Sequence, residues 1–474
     1  TGPFSITGQP NAMGGREVGG LATQLAAHLS LAHPGHRAAV QAFWGSSRIA
    51  GRPGLKAVEL FEAIDAGRVK AVWIMATNPV VSLPDADLVR RALARCPLVI
   101  VSDCVASNDT LPFAHIRLPA AAWAEKDGTV TNSDRHVSRQ RAFLPLPGSA
   151  RPDWWIITQV ARRMGFAGGF GYEGPEAIFD EFARLTALSR HFGRMLDLIA
   201  LAGLGRDGYD AMPVTQWPAP ARVSRPFADG RFATADGRAR FVPTPARGPR
   251  HAPSAEYPLV LNTGRIRDQW HTMTRTAVAA QLNAHEPEPF IDVHAADLAA
   301  IGAAPGGLVR VVSRWGSVLG RARSSGDLPA GMVFMPIHWS EQFARSSRVG
   351  AAVNPVVDAL SGEPEFKHTP VRLEKVEVEW QGFLLTRGQV SGPDALWWAV
   401  SPGEGVVRLE FAGRGKKRPD AAWLRSVVPG AGCARWIEYD DPGAGNYRAA
   451  LVDEGGRLLA CLMVSRNGTL PARG

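Results

Sequence analysis

One segment of the chain, residues 261–276, concentrates side chains that suit a large anionic ligand. It reads Leu-Asn-Thr-Gly-Arg-Ile-Arg-Asp-Gln-Trp-His-Thr-Met-Thr-Arg-Thr and follows a short apolar run, so a strand is predicted to end where this polar stretch begins. Glycine permits close backbone approach, and arginine forks beside hydroxyls suit a phosphate-bearing heterocycle. The alternative is an ordinary solvated loop. The candidate binding residues of this arginine–threonine segment are Thr263, Gly264, Arg265, Gln269, Trp270, His271 and Thr274.

A second candidate lies near the start of the chain, where residues 7–20 form a glycine-rich loop. Gln9 and Asn11 are polar turn residues in this loop, and Met13 and Arg16 lie among its glycines. Such a loop at a helix start can hold an anion on backbone N–H groups, and we predict that a helix over residues 21–31 follows it. Taken alone, the pattern fits an ordinary tight turn better, so the binding interpretation depends on the other motifs.

The elements between these two motifs alternate in type. Apolar spacing predicts helices and strands over residues 57–66 (helix), 69–76 (strand), 85–95 (helix) and 97–103 (strand). This order indicates a parallel sheet, in which ligands sit beyond the carboxyl ends of the strands. Asn78 follows the first strand, and Ser102 and Asp103 end the second. The local alternative is that Asp85 caps a helix and that Asn78 begins a turn before Pro79.

The chain is predicted to contain four regions. Polar turn residues surround Gly128 in the stretch that ends at Asn132, and Asp153 starts a helix. After residue 250, short strands with glycine turns indicate a compact barrel, and Asn354, Phe366 and Lys367 follow its strands. The predicted regions are an N-terminally incomplete α/β parallel-sheet domain (1–150), a return segment of helices and short strands (151–250), a β-barrel domain (251–375) and a small α+β extension (376–474).

Composition limits the classes of partner and compartment. The net charge of +9 comes mostly from arginines dispersed along the chain, without a basic block, which argues against a nucleic-acid-binding arm. A dispersed positive charge suits a small anionic substrate or a polyphosphate ligand. The alternative is an arginine-rich composition that has no functional meaning. No apolar run is long enough to span a membrane. Because no pair of the four cysteines has Cys-x-x-Cys spacing, we expect no iron–sulfur cluster within this chain and a reducing, cytoplasmic location.

The arginine–threonine segment resembles the signature that opens the C-terminal domain of molybdopterin oxidoreductases carrying bis(molybdopterin guanine dinucleotide). The glycine-rich loop and residues 354–370 support the same resemblance, which covers roughly residues 1–375 and is greatest to bacterial assimilatory nitrate reductases. The resemblance implies a Rossmann-like molybdopterin domain followed by a six-stranded double-psi β-barrel. It also implies that the upstream part of the protein holds a [4Fe-4S] cluster and a cysteine metal ligand, for which this chain has no counterpart.

The resemblance also assigns roles to the candidate residues. Arg16 and Met13 would lie at the floor of the substrate funnel, with Arg16 orienting nitrate. The other candidates would hold the cofactor: Gln9, Asn78, Ser102, Asp103, Gly128, Asn132, Asp153, Asn354, Phe366, Lys367 and the binding residues of the arginine–threonine segment.

The resemblance implies the catalytic subunit of a nitrate reductase that converts nitrate to nitrite by oxygen-atom transfer. An electron-donor protein or a reductase subunit would be its partner. The chain opens with Thr1-Gly2-Pro3 and not Met, so we expect an N-terminally incomplete polypeptide that is inactive by itself. Two alternatives stay open at this point, a formate dehydrogenase of the same superfamily and a non-catalytic remnant that only binds the cofactor.

Overall fold

The structure is a computed structural model that describes residues 10–219, 225–232, 234, 236–241, 243, 245–388, 390, 392–415, 418–428, 435–466, 468 and 470–472. The α-helices in these residues are α1 (Ala12–Glu17), α2 (Pro34–Trp44), α3 (Ala57–Asp65), α4 (Pro79–Ser82), α5 (Ala86–Arg95), α6 (Asp153–Ala161), α7 (Pro175–His191), α8 (Gly205–Asp210), α9 (Ala280–Asn283), α10 (Ala295–Ala300) and α11 (Ala421–Val427).

The strands complete this set of elements. They are β1 (Ala71–Met75), β2 (Leu98–Asp103), β3 (Ile116–Pro119), β4 (Gly128–Thr131), β5 (His136–Gln140), β6 (Thr215–Gln216), β7 (Leu259–Gly264), β8 (Phe290–Val293), β9 (Leu308–Val312), β10 (Ser317–Ser324), β11 (Met332–Pro336), β12 (Thr369–Lys375), β13 (Trp380–Thr386), β14 (Trp397–Pro402), β15 (Val407–Gly413), β16 (Arg435–Asp441), β17 (Asn446–Val452) and β18 (Leu458–Ser465).

The chain divides into two compact units. The first contains Thr1–Lys56, Ser102–Cys104 and Leu118–Ala246. The second contains Ala57–Val101, Val105–Arg117 and Arg247–Gly474.

The predicted helix over residues 21–31, in the first unit, is wrong. Ala27 and His28 have φ values of 59° and 57°, so the backbone turns through the left-handed region. An isolated antiparallel bridge between Gln24 and Ser30 closes this turn. The apolar side chains whose spacing suggested a helix, such as Leu25 and Leu29, are buried in this loop. A compact loop can therefore produce the same apolar spacing as a helix.

The alternating elements at the start of the second unit agree with the sequence prediction. Helices α3 and α5 and strands β1 and β2 form where they were predicted, and β1, β2 and β3 lie side by side in that order in one sheet. The capping interpretation of Asp85 is also confirmed, because its Oδ1 accepts a hydrogen bond from the backbone N–H of Leu88 at 3.3 Å.

The predicted barrel is present and closed. Its strand order is β10-β8-β11-β7-β12-β9, and β9 pairs with β10 to complete the circle. Strand β7 runs parallel to β11, and β8 runs parallel to β10, whereas the other neighbours are antiparallel. Apolar side chains such as Leu261, Ile291, Val311, Val333 and Met335 are completely buried and form its core. Strand β7, which contains the first residues of the arginine–threonine segment, is therefore held on both sides, by β11 and β12.

In the described residues of the C-terminal extension, a six-stranded antiparallel sheet carries the helix α11. Its strand order is β14-β15-β13-β18-β17-β16, and α11 packs on it through Leu424 and Val427. A buried cluster joins the sheet to the barrel side of the same unit, with Trp397 of β14 packed beside Leu319 of β10. The α+β prediction for this extension is correct.

Candidate functional site

The arginine–threonine segment begins within β7 and continues beyond the end of that strand at Gly264. A Cβ atom on Gly264 would lie 2.7 Å from the Phe334 ring, so only glycine fits there without movement of the ring. Thr263 is buried, and its hydroxyl donates a hydrogen bond to the backbone oxygen of Phe366 at 2.8 Å. The Lys367 ammonium donates to the backbone oxygen of Thr263. The structure thus brings Phe366 and Lys367, about one hundred residues further along the chain, to the end of β7.

The outer part of this segment is electropositive. The Arg265 guanidinium is exposed and lies 5.1 Å from the centre of the Trp270 ring, which meets the His271 ring edge-on at 4.5 Å. Burial, followed by the charges of Arg265 and Arg275, lowers the pKa of His271. Burial and then Arg265 also lower the pKa of Lys367. The positive charge of the arginines thus adds to the effect of burial on His271 and Lys367, and a phosphate placed beside them would offset that charge.

Two of the predicted binding residues use their side chains inside the protein. The Gln269 amide donates to Asn283 Oδ1 at 3.0 Å and accepts from the Thr276 hydroxyl at 2.6 Å. Asn354 is completely buried and donates to the backbone oxygen of His368 at 2.7 Å. In this structure, therefore, both residues hold the backbone around the candidate site. Thr274 is half-buried.

Some buried polar atoms have no hydrogen-bond partner among the residues that the structure describes, and they test whether a polar ligand fits this region. Asn262 Oδ1, in the part of the segment that belongs to β7, is one such atom. Asn78 Nδ2 is another, whereas the oxygen of the same amide accepts from the Thr110 hydroxyl at 2.7 Å. Native proteins rarely leave such atoms unpaired, so a bound ligand or a water is expected to complete their hydrogen bonding.

The glycine-rich loop forms the second candidate region, in the first unit. Asn11 has a φ of 60°, and its side-chain oxygen accepts from the backbone N–H of Thr131 at 2.9 Å, which places α1 against β4. Met13 and Arg16 line a cavity of about 300 Å³ together with Asn132. Arg16 is exposed, and within the described parts of the chain no carboxylate forms an ion pair with it. The cavity therefore presents a cation that is available to a small anion.

Glu17 anchors this loop, a role that sequence reasoning missed. It is 1% exposed, and its two carboxyl oxygens accept from the Thr131 hydroxyl and the Trp217 indole N–H, both at 2.7 Å. Burial raises the pKa of Glu17, and these two hydrogen bonds oppose that rise. Because Glu17 follows Arg16 directly, it determines where α1 presents the guanidinium. An acidic residue beside an arginine is too common in sequences to reveal this.

Replacing Glu17 with glutamine is expected to destabilise the first unit by about 2 kcal/mol, because one of two buried donors would then face an amide NH₂ group. Chemical denaturation measures the change in the free energy of unfolding. The matched control is Glu173→Gln, an exposed carboxylate in the same unit, which should change stability little. Equal effects of the two substitutions would show that Glu17 does not anchor α1.

The remaining candidates of the first unit lie near turns and strand ends. Ser102 is buried at the end of β2, and the Asp103 carboxylate accepts from the backbone N–H of Cys104 at 2.7 Å. Gly128 begins β4, and Asn132, which is exposed, accepts from two backbone N–H groups of the turn after β4. Asp153 starts α6 and pairs with Lys126 at 2.5 Å.

The candidate binding residue Gln9 and the first two residues of the glycine-rich loop, 7 and 8, lie outside the described residues. Among the residues that are described, no group of three or more histidine, cysteine, aspartate or glutamate side chains could hold a metal ion. No helix in that part of the chain is both long enough and apolar enough to cross a membrane.

Comparison with protein families defines the class of the protein. A family described as "Molybdopterin oxidoreductase" matches residues 6–163, and one described as "Molydopterin dinucleotide binding domain" matches residues 259–370. These ranges contain the glycine-rich loop and the arginine–threonine segment respectively. The chain belongs to the molybdopterin oxidoreductase family.

Relatives of known function narrow this class. The chain is 48% identical to a nitrate reductase of Klebsiella oxytoca, over 89% of this chain and 48% of that protein. It is 34% identical to the assimilatory nitrate reductase catalytic subunit of Bacillus subtilis, over 79% and 52% of the two chains. An F420-dependent formate dehydrogenase subunit alpha of Methanocaldococcus jannaschii is 31% identical to this chain, over 79% of this chain and 53% of that protein. The predicted resemblance to nitrate reductases is therefore confirmed, and the formate dehydrogenase is more distant.

The chain spans about half the length of the curated relatives it matches. Among solved structures, acetylene hydratase from Pelobacter acetylenicus matches with a TM-score of 0.53 and 17% identity, covering 69% of this chain and 47% of that one. This match supports the fold and carries no information about the reaction.

Proposed function

We propose that this chain is part of the catalytic subunit of a molybdenum-dependent nitrate reductase, which reduces nitrate to nitrite in nitrate assimilation. The observation that carries the proposal is Arg16, an exposed cation without a described ion pair, beside Met13 on a cavity large enough for a small anion. The similarity to nitrate reductases supports nitrate as that anion.

The cofactor would be bis(molybdopterin guanine dinucleotide) molybdenum, and the donors of the chain fit it. Arg265 and Lys367 would bind phosphate oxygens, and Gly264 would allow the backbone to approach the ligand closely. The unpaired amide atoms of Asn262 and Asn78 would complete their hydrogen bonds on polar groups of the pterin or the nucleotide. When bound, this cofactor supplies oxygen-atom transfer, and the protein supplies orientation and electrostatics.

Arg16 would orient the substrate. A planar guanidinium can donate two parallel hydrogen bonds to two oxygens of a planar oxyanion, which aligns nitrate and neutralises its charge. Met13 would provide an adaptable apolar wall next to it. Electrons would come from a donor protein or a reductase subunit in the cytoplasm. A [4Fe-4S] cluster would be held by a part of the catalytic subunit other than residues 1–474.

The finer features of the fold are part of the same proposal. We infer that β1 and β2 belong to a parallel, Rossmann-like sheet, and that the closed barrel has double-psi topology. The proposed regions are residues 1–150, 151–250, 251–375 and 376–474. The crossover through α4 and α5 and the two parallel strand pairs of the barrel support this assignment.

A formate dehydrogenase is the second candidate, because relatives with that activity are 30–31% identical to this chain. A non-catalytic remnant that only binds the cofactor is the third.

A nitrite assay distinguishes these functions. The natural protein, purified with its cofactor, is expected to form nitrite from nitrate when reduced methyl viologen supplies electrons, and to leave formate unoxidised. Its molybdenum and pterin contents are measured on the same sample. Oxidation of formate without reduction of nitrate would establish the second candidate. Cofactor content without either activity would establish the third.

A further inference from the structure

The C-terminal sheet contacts the barrel side through its edge strand, β14. The backbone N–H of Val400 donates to the oxygen of Phe343 at 2.7 Å, and the N–H of Arg345 donates to the oxygen of Trp398 at 2.9 Å. Residues 343–345 therefore pair with β14 much as an extra strand would, which also covers an edge that would otherwise be open. These residues belong to the connection that follows β11.

The same connection carries His338, which is completely buried beneath the arginine–threonine segment. Its Nδ1 lies 2.7 Å from the backbone oxygen of His271, and its Nε2 accepts from the backbone N–H of Ile266 at 3.0 Å. The second contact leaves Nε2 without a proton, so Nδ1 carries the proton and donates it to His271. One imidazole thus ties two points of the segment together.

A second route from the sheet passes through Asn283, which is 2% exposed. Its Nδ2 donates to the backbone oxygen of Ala277 at 2.6 Å and to that of Pro402, the last residue of β14, at 3.1 Å. Its Oδ1 accepts from the Gln269 amide at 3.0 Å. One side chain therefore joins Gln269 and the residue just after the segment to the C-terminal sheet.

The segment needs such support because part of its backbone is strained. His271 and Met273 have φ values of 44° and 61°, and each such residue costs on the order of 1 kcal/mol or more unless its surroundings impose the conformation. The His271 carbonyl is held by His338, and Met273 is buried in one cluster with Trp339 and Trp397. Both strained positions therefore lie against residues that the sheet supports.

We propose that the C-terminal sheet is a brace for the arginine–threonine segment, holding it in its ligand-binding conformation, with His338 and Asn283 as positioning residues. The proposal rests on the cofactor-binding role proposed above for the segment. It assigns a function to the extension, which contributes no candidate binding residue of its own. Without the brace, the segment would relax from its strained backbone and its affinity for the cofactor would fall.

Hydrogen–deuterium exchange on the 474-residue chain tests the brace directly. Asn283→Leu keeps the approximate shape of the side chain and removes all of its hydrogen bonds, so amides of residues 266–277 should exchange about tenfold faster or more. The matched control is Tyr447→Phe, which removes the hydroxyl that donates to Glu438 in the same sheet, away from the segment. It should leave exchange of residues 266–277 unchanged.

A pair of substitutions at His338 provides the second arm of the test. Glutamine can still donate to His271 and accept from Ile266, whereas leucine can do neither, so His338→Gln should restore slow exchange that His338→Leu loses. In the natural protein, the molybdenum and pterin contents should fall several-fold for Asn283→Leu and His338→Leu, and stay near normal for His338→Gln.

The brace would be refuted if residues 266–277 exchanged at the wild-type rate in both Asn283→Leu and His338→Leu. It would also be refuted if Tyr447→Phe accelerated their exchange as much as these substitutions do. Acceleration spread evenly over the barrel strands would also refute it, because it would show general destabilisation. Failure of the proposed function looks different. A natural protein that retains the cofactor and does not reduce nitrate, while exchange responds as expected, would overturn the nitrate assignment and leave the brace in place.

Discussion

Replacing Arg16 with alanine in the natural protein is expected to lower kcat/KM for nitrate about ten- to a hundredfold, because loss of a charge-assisted hydrogen bond costs roughly 1.5–3 kcal/mol. The exposed guanidinium has no ion pair in the described residues, so its removal should not disturb the fold. Molybdenum content and the yield of soluble protein should therefore stay normal. Steady-state kinetics with a chemical electron donor, together with metal analysis, measure both quantities.

Two further variants sharpen this test. Arg16→Lys keeps the charge and loses the two-pronged fork, so its kcat/KM should lie between those of wild type and Arg16→Ala. Arg68→Ala, a substitution of another exposed arginine, is the matched control and should leave the kinetics unchanged. If Arg16→Ala lost molybdenum or solubility, Arg16 would have a structural role instead.

The second large effect concerns His338 and pH. Burial first, and then the nearby charges of Arg265 and His271, lower the pKa of His338 to about 4, although the hydrogen bond to His271 opposes the shift. In the unfolded chain this histidine takes up a proton near pH 6.5, whereas the folded chain resists protonation until about pH 4. The stabilisation is therefore complete above pH 6.5 and is lost as the pH falls toward 4. We expect His338 to contribute a loss of about 3 kcal/mol over that range.

Chemical denaturation at a series of pH values measures this contribution. His338→Gln cannot be protonated in this range, so its free energy of unfolding should fall less steeply with acid than that of the wild type. Other acid-sensitive groups contribute equally to both curves and cancel in the difference. Parallel curves for the two proteins would contradict the assignment of this pH dependence to His338.

Much of the secondary structure could be predicted because it depends on local features of the sequence, namely apolar spacing and turn residues. Helices α3 and α5 have helical apolar spacing, and β1 and β2 are short apolar runs, so each was predicted within a few residues of its observed limits. The prediction over residues 21–31 failed because burial without a helix produced similar spacing. There, the left-handed conformations of Ala27 and His28 depend on contacts that local propensity does not encode.

The candidate site, too, could be predicted from the sequence only in part. The sequence by itself determined the chemistry of the segment, because guanidinium and hydroxyl groups beside a glycine at residues 263–275 suit a phosphate-bearing ligand. The same motifs carry the resemblance to the family. Only the tertiary structure revealed the residues that hold the site. Glu17 meets Trp217 200 residues away, His338 meets Ile266 across 72 residues, and Asn283 reaches Pro402 across 119. A residue's type is local information, whereas its hydrogen-bond partner at such separations is selected by the packing of the whole unit, which a single sequence does not display.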